Sequence, residues 1–167
     1  MEMDFRQAWQ DPRISLRRFG HTQNVTVNGA SLLGRMWTPD LYFVNAKEVR
    51  THSVTMPNQL LRLSPDGDVL ISIRLSLKLS CLMFFYYFPF DKQKCFAQLR
   101  PYIHTLDQVE FVWRENDPVF LQGPIQMQDF DLNELSYENY TIEVENGTFL
   151  EWPSKLSCSS HSYSTLD

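Results

Sequence analysis

An all-β fold, a sandwich or a barrel, is what this sequence predicts. Three observations carry that expectation. Apolar residues recur at every second position rather than every 3.6. The apolar segments are short and are separated by proline and glycine turn signals. No capped amphipathic helix longer than two turns can be drawn. The chain has 167 residues, which fits one domain or at most two. A domain of that size buries roughly 68–70% of its unfolded surface and needs neither metal nor disulfide merely to fold.

The strongest element spans residues 68–80, DVLISIRLSLKLS. Val69, Ile71, Ile73, Leu75, Leu77 and Leu79 share one face, and Leu70, Ser72, Arg74, Ser76, Lys78 and Ser80 share the other. That is the pattern of a long half-buried strand. Ser64-Pro65-Asp66-Gly67 precedes it. Proline presets φ and glycine permits a positive φ, so a tight reversal is expected there. Residues 59–63, QLLRL, supply the other arm of a hairpin. Shorter strands are expected at 3–9, 24–27, 35–37, 95–101 and 109–113, with Pro12, Pro39, Pro57, Pro89, Pro118 and Pro124 between elements. Residues 154–164 are serine-rich and lack strand periodicity, so they read as a poorly ordered tail.

Composition narrows the function classes. The chain is 43% hydrophobic and 14% aromatic, which excludes a disordered protein. Fifteen Lys+Arg stand against 20 Asp+Glu, a net charge of −5, and the charges are scattered. A nucleic-acid partner held by a basic face is therefore not expected. No run approaches the ~18 apolar residues of a membrane span. The opening MEMDFRQAWQ lacks the apolar centre of a signal peptide. Taken alone, these features describe a soluble, intracellular, one-domain protein. Catalysis has little support: no GxSxG, P-loop, HExxH or paired-cysteine metal motif occurs.

The cysteines point elsewhere. Cys81 follows the long strand, and thirteen residues, LMFFYYFPFDKQK, separate it from Cys95. A compact loop would bring the two α-carbons within the ~7 Å that a disulfide requires. Two unpaired core thiols are the other reading. Zinc is disfavoured, because no CxxC or nearby His pair exists. The loop holds Met83, Phe84, Phe85, Tyr86, Tyr87, Phe88 and Phe90. Exposed to water it would be a liability, so a covering surface is expected. Phe88-Pro89 is a pair of the kind that can adopt a cis bond in a tight turn.

Phe88-Pro89-Phe90-Asp91-Lys92-Gln93-Lys94-Cys95 ends the thirteen-residue loop as aromatic-Pro-x-Asp-x-x-x-Cys. Upstream stand FRQAWQDPR from Phe5, WTPDLYFVNAK from Trp37 and HSVTMPNQLLR from His52. Downstream, Trp113 is followed by Asp117-Pro118-Val119. In this order the segments resemble the extracellular ligand-binding domain of Cys-loop receptors, the pentameric ligand-gated ion channels. The resemblance covers about residues 1–135. The FxNxK and VTxPN wording resembles the glycine, GABA and glutamate-gated chloride channels. Invertebrate chloride channels gated by glutamate, histamine, protons or zinc are the nearest type.

The resemblance implies a twisted, immunoglobulin-like β-sandwich of about 8–10 strands, truncated at both ends. Residues 1–149 would be the partial ligand-binding domain and 150–167 a divergent tail. The Cys81–Cys95 disulfide is implied with it. So is a channel subunit that binds a small neurotransmitter-like ligand at subunit interfaces and couples it to opening of an anion pore. The alternative is a truncated soluble ligand-binding or assembly-modulating protein. Implied partners are other subunits of a homo- or hetero-pentamer, and the membrane through a pore domain. No cofactor is implied. The implied place is the extracellular side of the cell membrane.

Carried over position by position, Tyr42 falls on the first contact loop, and Tyr102, His104 and Thr105 on the second. Asp4 and Arg6 fall on the first strand of the complementary side, and Leu70, Ser72 and Arg74 on the long strand. Arginines can hold a ligand carboxylate through paired N–H donors, and tyrosine faces can meet an ammonium. His104 has the residue chemistry of a proton or zinc sensor. The alternative reading of Arg6 and Arg74 is that they only pair with surface acids. Phe88, Pro89 and Asp91 would belong to the coupling loop. Some positions depart from the family pattern. Asp4 stands where an aromatic is usual, Arg100 where amine-binding members carry an acid, and Leu82 and Phe84 where Pro and Asp are usual. Asn24, Asn139 and Asn146 each head an N-x-S/T glycosylation sequon.

Overall fold

The computed structural model describes residues 1–88, 90–116, 118–121, 123, 130–144 and 147–160. Twelve strands and three short 3₁₀ turns occur among them. The strands are β1 (Glu2–Gln10), β2 (Val25–Asn28), β3 (Leu41–Phe43), β4 (Ala46–Thr51), β5 (Ser53–Val54) and β6 (Met56–Pro57). They continue with β7 (Gln59–Leu63), β8 (Asp68–Leu79), β9 (Lys92–Pro101), β10 (Phe130–Tyr137), β11 (Tyr140–Val144) and β12 (Gly147–Ser160). The ladders β1–β8, β7–β8, β2–β7, β5–β6, β3–β9, β9–β12, β10–β12 and β11–β12 are antiparallel. The all-β, sandwich-class expectation stands.

The chain divides into two compact units. The first comprises Met1–Pro39 and Lys47–Lys78. Its sheet runs β1-β8-β7-β2, with β4 also pairing β8. The odd-numbered residues of β8 are its apolar side, as the alternation predicts. Leu61, Val69 and Ile71 are buried at the centre, with Trp9, Ile14, Val27 and Met36 packed around them. Trp9 and Trp37 meet edge to face, with centroids 5.8 Å apart, a geometry that sets the positive edge of one ring against the negative face of the other.

The β7–β8 turn forms as the Pro-Asp-Gly signal requires. Gly67 sits at φ 95°, and the Ser64 hydroxyl donates to Asp68 at 2.9 Å. The turn is docked on the segment after β1. Asp11 N–H donates to Gly67 C=O at 2.9 Å. The Asp11 carboxylate is buried and accepts from Arg13 Nε at 2.8 Å and Nη2 at 2.7 Å. The Arg13 hydrogen bond and charge hold the Asp11 carboxyl below its ordinary range, against a smaller opposing effect of burial. The Asp-Pro-Arg of the FRQAWQDPR segment is thus an anchor for the neighbouring turn.

The second unit comprises Asp40–Ala46 and Leu79–Asp167. Its sheet runs β10-β12-β9-β3, with β11 also pairing β12. Ala97 and Leu99 are its buried apolar residues among those described. Cys81 and Cys95 form a disulfide with α-carbons 5.3 Å apart, which settles the pairing left open by spacing.

Three expectations about elements are corrected. Residues 35–37 are not a strand: Leu33–Arg35 form a 3₁₀ turn, and Trp37 packs on Trp9 from irregular chain. Residues 109–113 alternate in burial as expected, yet no ladder is assigned to them. Alternation reports an extended chain with two faces, and an extended chain need not be hydrogen-bonded to a neighbour. Trp113 instead stacks at a tilt on Tyr137, centroids 5.7 Å apart. Finally, residues 154–160 belong to β12 and not to a tail. That strand lies between β9 and β10, and backbone pairing on both sides supplies what side-chain alternation does not. Residues 161–167 lie outside the described residues, as do Pro89 and Asn146 among the sequence-predicted positions.

Candidate ligand-binding surfaces

In the second unit, β3 pairs with the end of β9 so that Tyr42 lies opposite Arg100. Tyr102 follows directly after β9. The two tyrosine rings meet edge to face, with centroids 5.7 Å apart and an interplanar angle of 80°. Tyr102 is 76% exposed and Tyr42 36% exposed. Two electron-rich ring faces therefore border solvent in a fixed mutual orientation.

Asp40, immediately before β3, fixes the loop that carries them. Its carbonyl accepts from Tyr102 N–H at 3.0 Å. Its Oδ2 accepts from Tyr102 N–H at 3.1 Å and also from Ile103 N–H. Its Oδ1 pairs with His104 Nδ1. Burial pulls the Asp40 carboxyl upward, but the hydrogen bonds from His104 and Ile103 and the attraction of His104 outweigh it. The net effect holds the group below its ordinary range. Sequence reasoning named Tyr102 and His104 but missed Asp40, although it stands in the WTPD segment.

Asn45 does comparable work at the other end of β3. Its Nδ2 donates to the Ser80 and Phe96 carbonyls at 3.0 and 2.6 Å. Its Oδ1 accepts from Gln98 N–H at 3.2 Å. This is the Asn of the FVNAK segment, and it acts on backbone. Thr105 is committed locally: its hydroxyl donates to Asp107, and its carbonyl accepts from Gln108 N–H at 3.0 Å. The second loop thus contributes Tyr102 and His104 to the Asp40 cluster, while Thr105 closes the following turn.

In the first unit, the strand register aligns the other predicted residues. Asp4 lies opposite Arg74, Arg6 opposite Ser72, and Ala8 opposite Leu70. All belong to the face away from the Leu61–Val69–Ile71 core. Asp4, Arg6 and Arg74 are exposed, and Ser72 and Leu70 half-buried. Arg74 Nη2 reaches Glu2 Oε2 at 3.3 Å, with both side chains more than half exposed. Such an exposed pair is weak. His52 joins this face, its Nε2 2.8 Å from Ser76 Oγ.

The Cys81–Cys95 loop presents Phe84, Phe85, Tyr86, Tyr87, Phe88 and Phe90 to solvent, each more than half exposed. Beneath them its backbone is pinned by Gln93, which is buried. Gln93 Oε1 accepts from Phe84 N–H at 3.0 Å, and its Nε2 donates to Phe84 C=O at 2.9 Å. The same Nε2 donates to the buried Asp91 carboxylate. Of the predicted coupling residues, Phe88 is outward and Asp91 is internal. Asn24 and Asn139 are both exposed. Among the described residues no group of three or more His, Cys, Asp or Glu is placed to hold a metal. No described helix is long and apolar enough to cross a membrane.

Comparison with known proteins identifies the family. Residues 1–161 match the family described as neurotransmitter-gated ion-channel ligand binding domain. Glycine receptor subunit beta of Homo sapiens is 40% identical over 139 residues, covering 81% of this chain and 28% of that protein. The Rattus norvegicus subunit matches to the same extent. The glutamate-gated chloride channel of Drosophila melanogaster is 33% identical over 150 residues, covering 89% of this chain and 32% of the channel. The chain thus spans about a third or less of the length of the curated relatives it matches. The matched family is one of ion-channel domains and not of enzymes. With its Cys loop closed and nearly its whole length matched, the chain belongs to the neurotransmitter-gated ion-channel ligand-binding domain family.

Proposed function

We propose that this chain is the extracellular ligand-binding part of a ligand-gated chloride channel subunit that assembles with like subunits into a pentamer. The observation that carries this reading is the Tyr42–Tyr102 pair on the Asp40-held loop. It offers aromatic faces to a ligand ammonium. The Asp4, Arg6, Leu70, Ser72 and Arg74 face offers the complementary chemistry, two guanidinium groups for a carboxylate. A zwitterionic, amino-acid-like ligand meets both requirements, which agrees with relatives named for glycine and glutamate. In a ring, the tyrosines of one subunit would face the arginine ladder of the next. Binding would bias the pore through the Cys loop to the extent that the open state is bound more tightly. The exposed Phe84, Phe85 and Phe90 favour a loop covered by a pore domain over a free-standing soluble protein.

The test is electrophysiological. The full-length subunit that contains this domain is expressed in oocytes, and glycine, glutamate, GABA, histamine, zinc and pH steps are applied. A chloride current to an amino-acid ligand is expected. Tyr102→Ala should raise the half-maximal concentration about tenfold or more, as loss of a ~1.4 kcal/mol contact would. A gated current unchanged by Tyr102→Ala would remove these tyrosines from the site, and absence of any gated current would refute the channel reading.

A further inference from the structure

Three properties meet in the Cys81–Cys95 loop. The first is an apolar crown. Leu82, residues 84–88 and Phe90 are each more than half exposed, and Tyr86 reaches 89%. The second is charge. Asp91 is the one acid between the cysteines, and it is buried, accepting from Gln93. Lys92 and Lys94 stand exposed at the base. The third is the state of the backbone. Phe84 N–H and C=O are both taken by the Gln93 amide. Phe88 N–H donates to Phe85 C=O at 3.2 Å, and Phe90 N–H to Tyr87 C=O at 2.7 Å. The disulfide closes the base with α-carbons 5.3 Å apart. The loop thus offers apolar side chains and a cationic rim, while its own turns satisfy these backbone groups.

We propose that this crown enters the headgroup region of a lipid bilayer, as a direct membrane contact made by the domain itself. Backbone groups left unpaired away from water oppose entry into lipid, and here the tip pairs its own. Phenylalanine rings suit the apolar depth. Tyr86 and Tyr87 combine a ring for that zone with a hydroxyl for water and phosphate. Lys92 and Lys94 meet lipid phosphates, and no exposed acid between the cysteines opposes them. Residues 82–88 are exposed one after another, without the alternation that would reserve one face for packing on the domain. A crown exposed in this way fits a fluid surface, which needs no matching shape. The proposal rests on the reading under Proposed function only for which end of the domain faces the membrane. To the pore domain named there it adds lipid as what covers the loop.

The full chain, with its disulfide formed, is floated with vesicles of phosphatidylcholine, with or without phosphatidylserine. Flotation separates vesicle-bound chain from aggregate, which sinks. Binding to both is expected, tighter with phosphatidylserine. Phe85→Ser combined with Tyr86→Ser should weaken binding at least about tenfold. Lys92→Gln should weaken it about fivefold on the anionic vesicles. These side chains are exposed, so the fold tolerates the changes. A disulfide-bonded chain that does not float, or variants that float like wild type, overturn the proposal. So does a dimer that the double variant splits, with no flotation, because the crown would then belong to a second copy. In the full-length subunit, reconstituted in phosphatidylcholine with brominated acyl chains, Tyr86→Trp should add fluorescence that these lipids quench. Added fluorescence without quenching places the crown wholly against the pore domain and overturns the proposal. Neither measurement uses current, so flotation and quenching without any gated current would fail the channel reading alone.

Discussion

Asp40 has one carboxylate and one carbonyl, and with them it satisfies two backbone N–H groups and an imidazole nitrogen of the loop carrying Tyr102. Asp40→Ala removes the carboxylate acceptors together. Because Tyr102 and Ile103 are largely exposed, water replaces part of the loss, and destabilisation of about 1 kcal/mol is expected in urea titration. A larger effect is expected on the loop than on the whole chain. The edge-to-face contact of Tyr42 and Tyr102 should weaken, read as increased tyrosine fluorescence depolarisation. The carboxyl also sets a pH dependence. Its folded pKa lies below the ordinary value of about 3.9. The stability it contributes is therefore fully present above that value and is lost as pH falls through the depressed folded value. Acid titration below about pH 4 should shift the amide resonances of Tyr102 and Ile103, and Asp40→Asn should abolish that step. Persistence of the step in the variant would assign it to another carboxylate.

At the scale of elements, the β7–β8 hairpin rests on one glycine. Gly67 combines φ 95° with a close approach. A Cβ there would stand 2.6 Å from Asp11 O and 2.7 Å from Ile14 O, both backbone atoms. Gly67→Ala therefore meets a disfavoured φ and a clash that no side-chain rotation relieves. A loss of at least about 2 kcal/mol is expected by chemical denaturation, with the Asp11-to-Gly67 hydrogen bond the first to open in hydrogen exchange. Much of this element was legible beforehand. The alternation over residues 68–80 put Ser72 and Arg74 opposite the core, and the Ser-Pro-Asp-Gly turn marked the reversal between β7 and β8. The pairing of β1 with β8, which aligns Asp4 with Arg74 and Arg6 with Ser72, was not legible. Those residues are about 70 positions apart in the chain, and alternation says which face a residue occupies but not which strand lies beside it.

At the scale of the molecule, the Cys81–Cys95 bond is a covalent tie within the second unit, spanning a sequence separation of 14. Closing a loop of about 15 residues is worth roughly 3 kcal/mol in the chain-entropy model. Cys81→Ser should lower stability by that order. It should also loosen the exposed aromatic loop, read as increased binding of a hydrophobic dye. Unchanged stability would show that Gln93 and Asp91 hold the loop without the bond.

Local patterning was enough for the all-β class, the core face of β8, the hairpin turn and the motifs that mark the family. These are properties of short segments: alternation, φ preference, and cysteine and proline spacing act within a dozen residues. The clamp of Asp40 on the second loop, the Asn45 bridge, the Gln93 pin and the strand made from serine-rich residues became visible only in the folded chain. Each depends on hydrogen bonds between segments far apart in sequence. Such bonds form wherever the fold brings a donor to an acceptor, and they leave no period, spacing or composition behind for a linear reading to find.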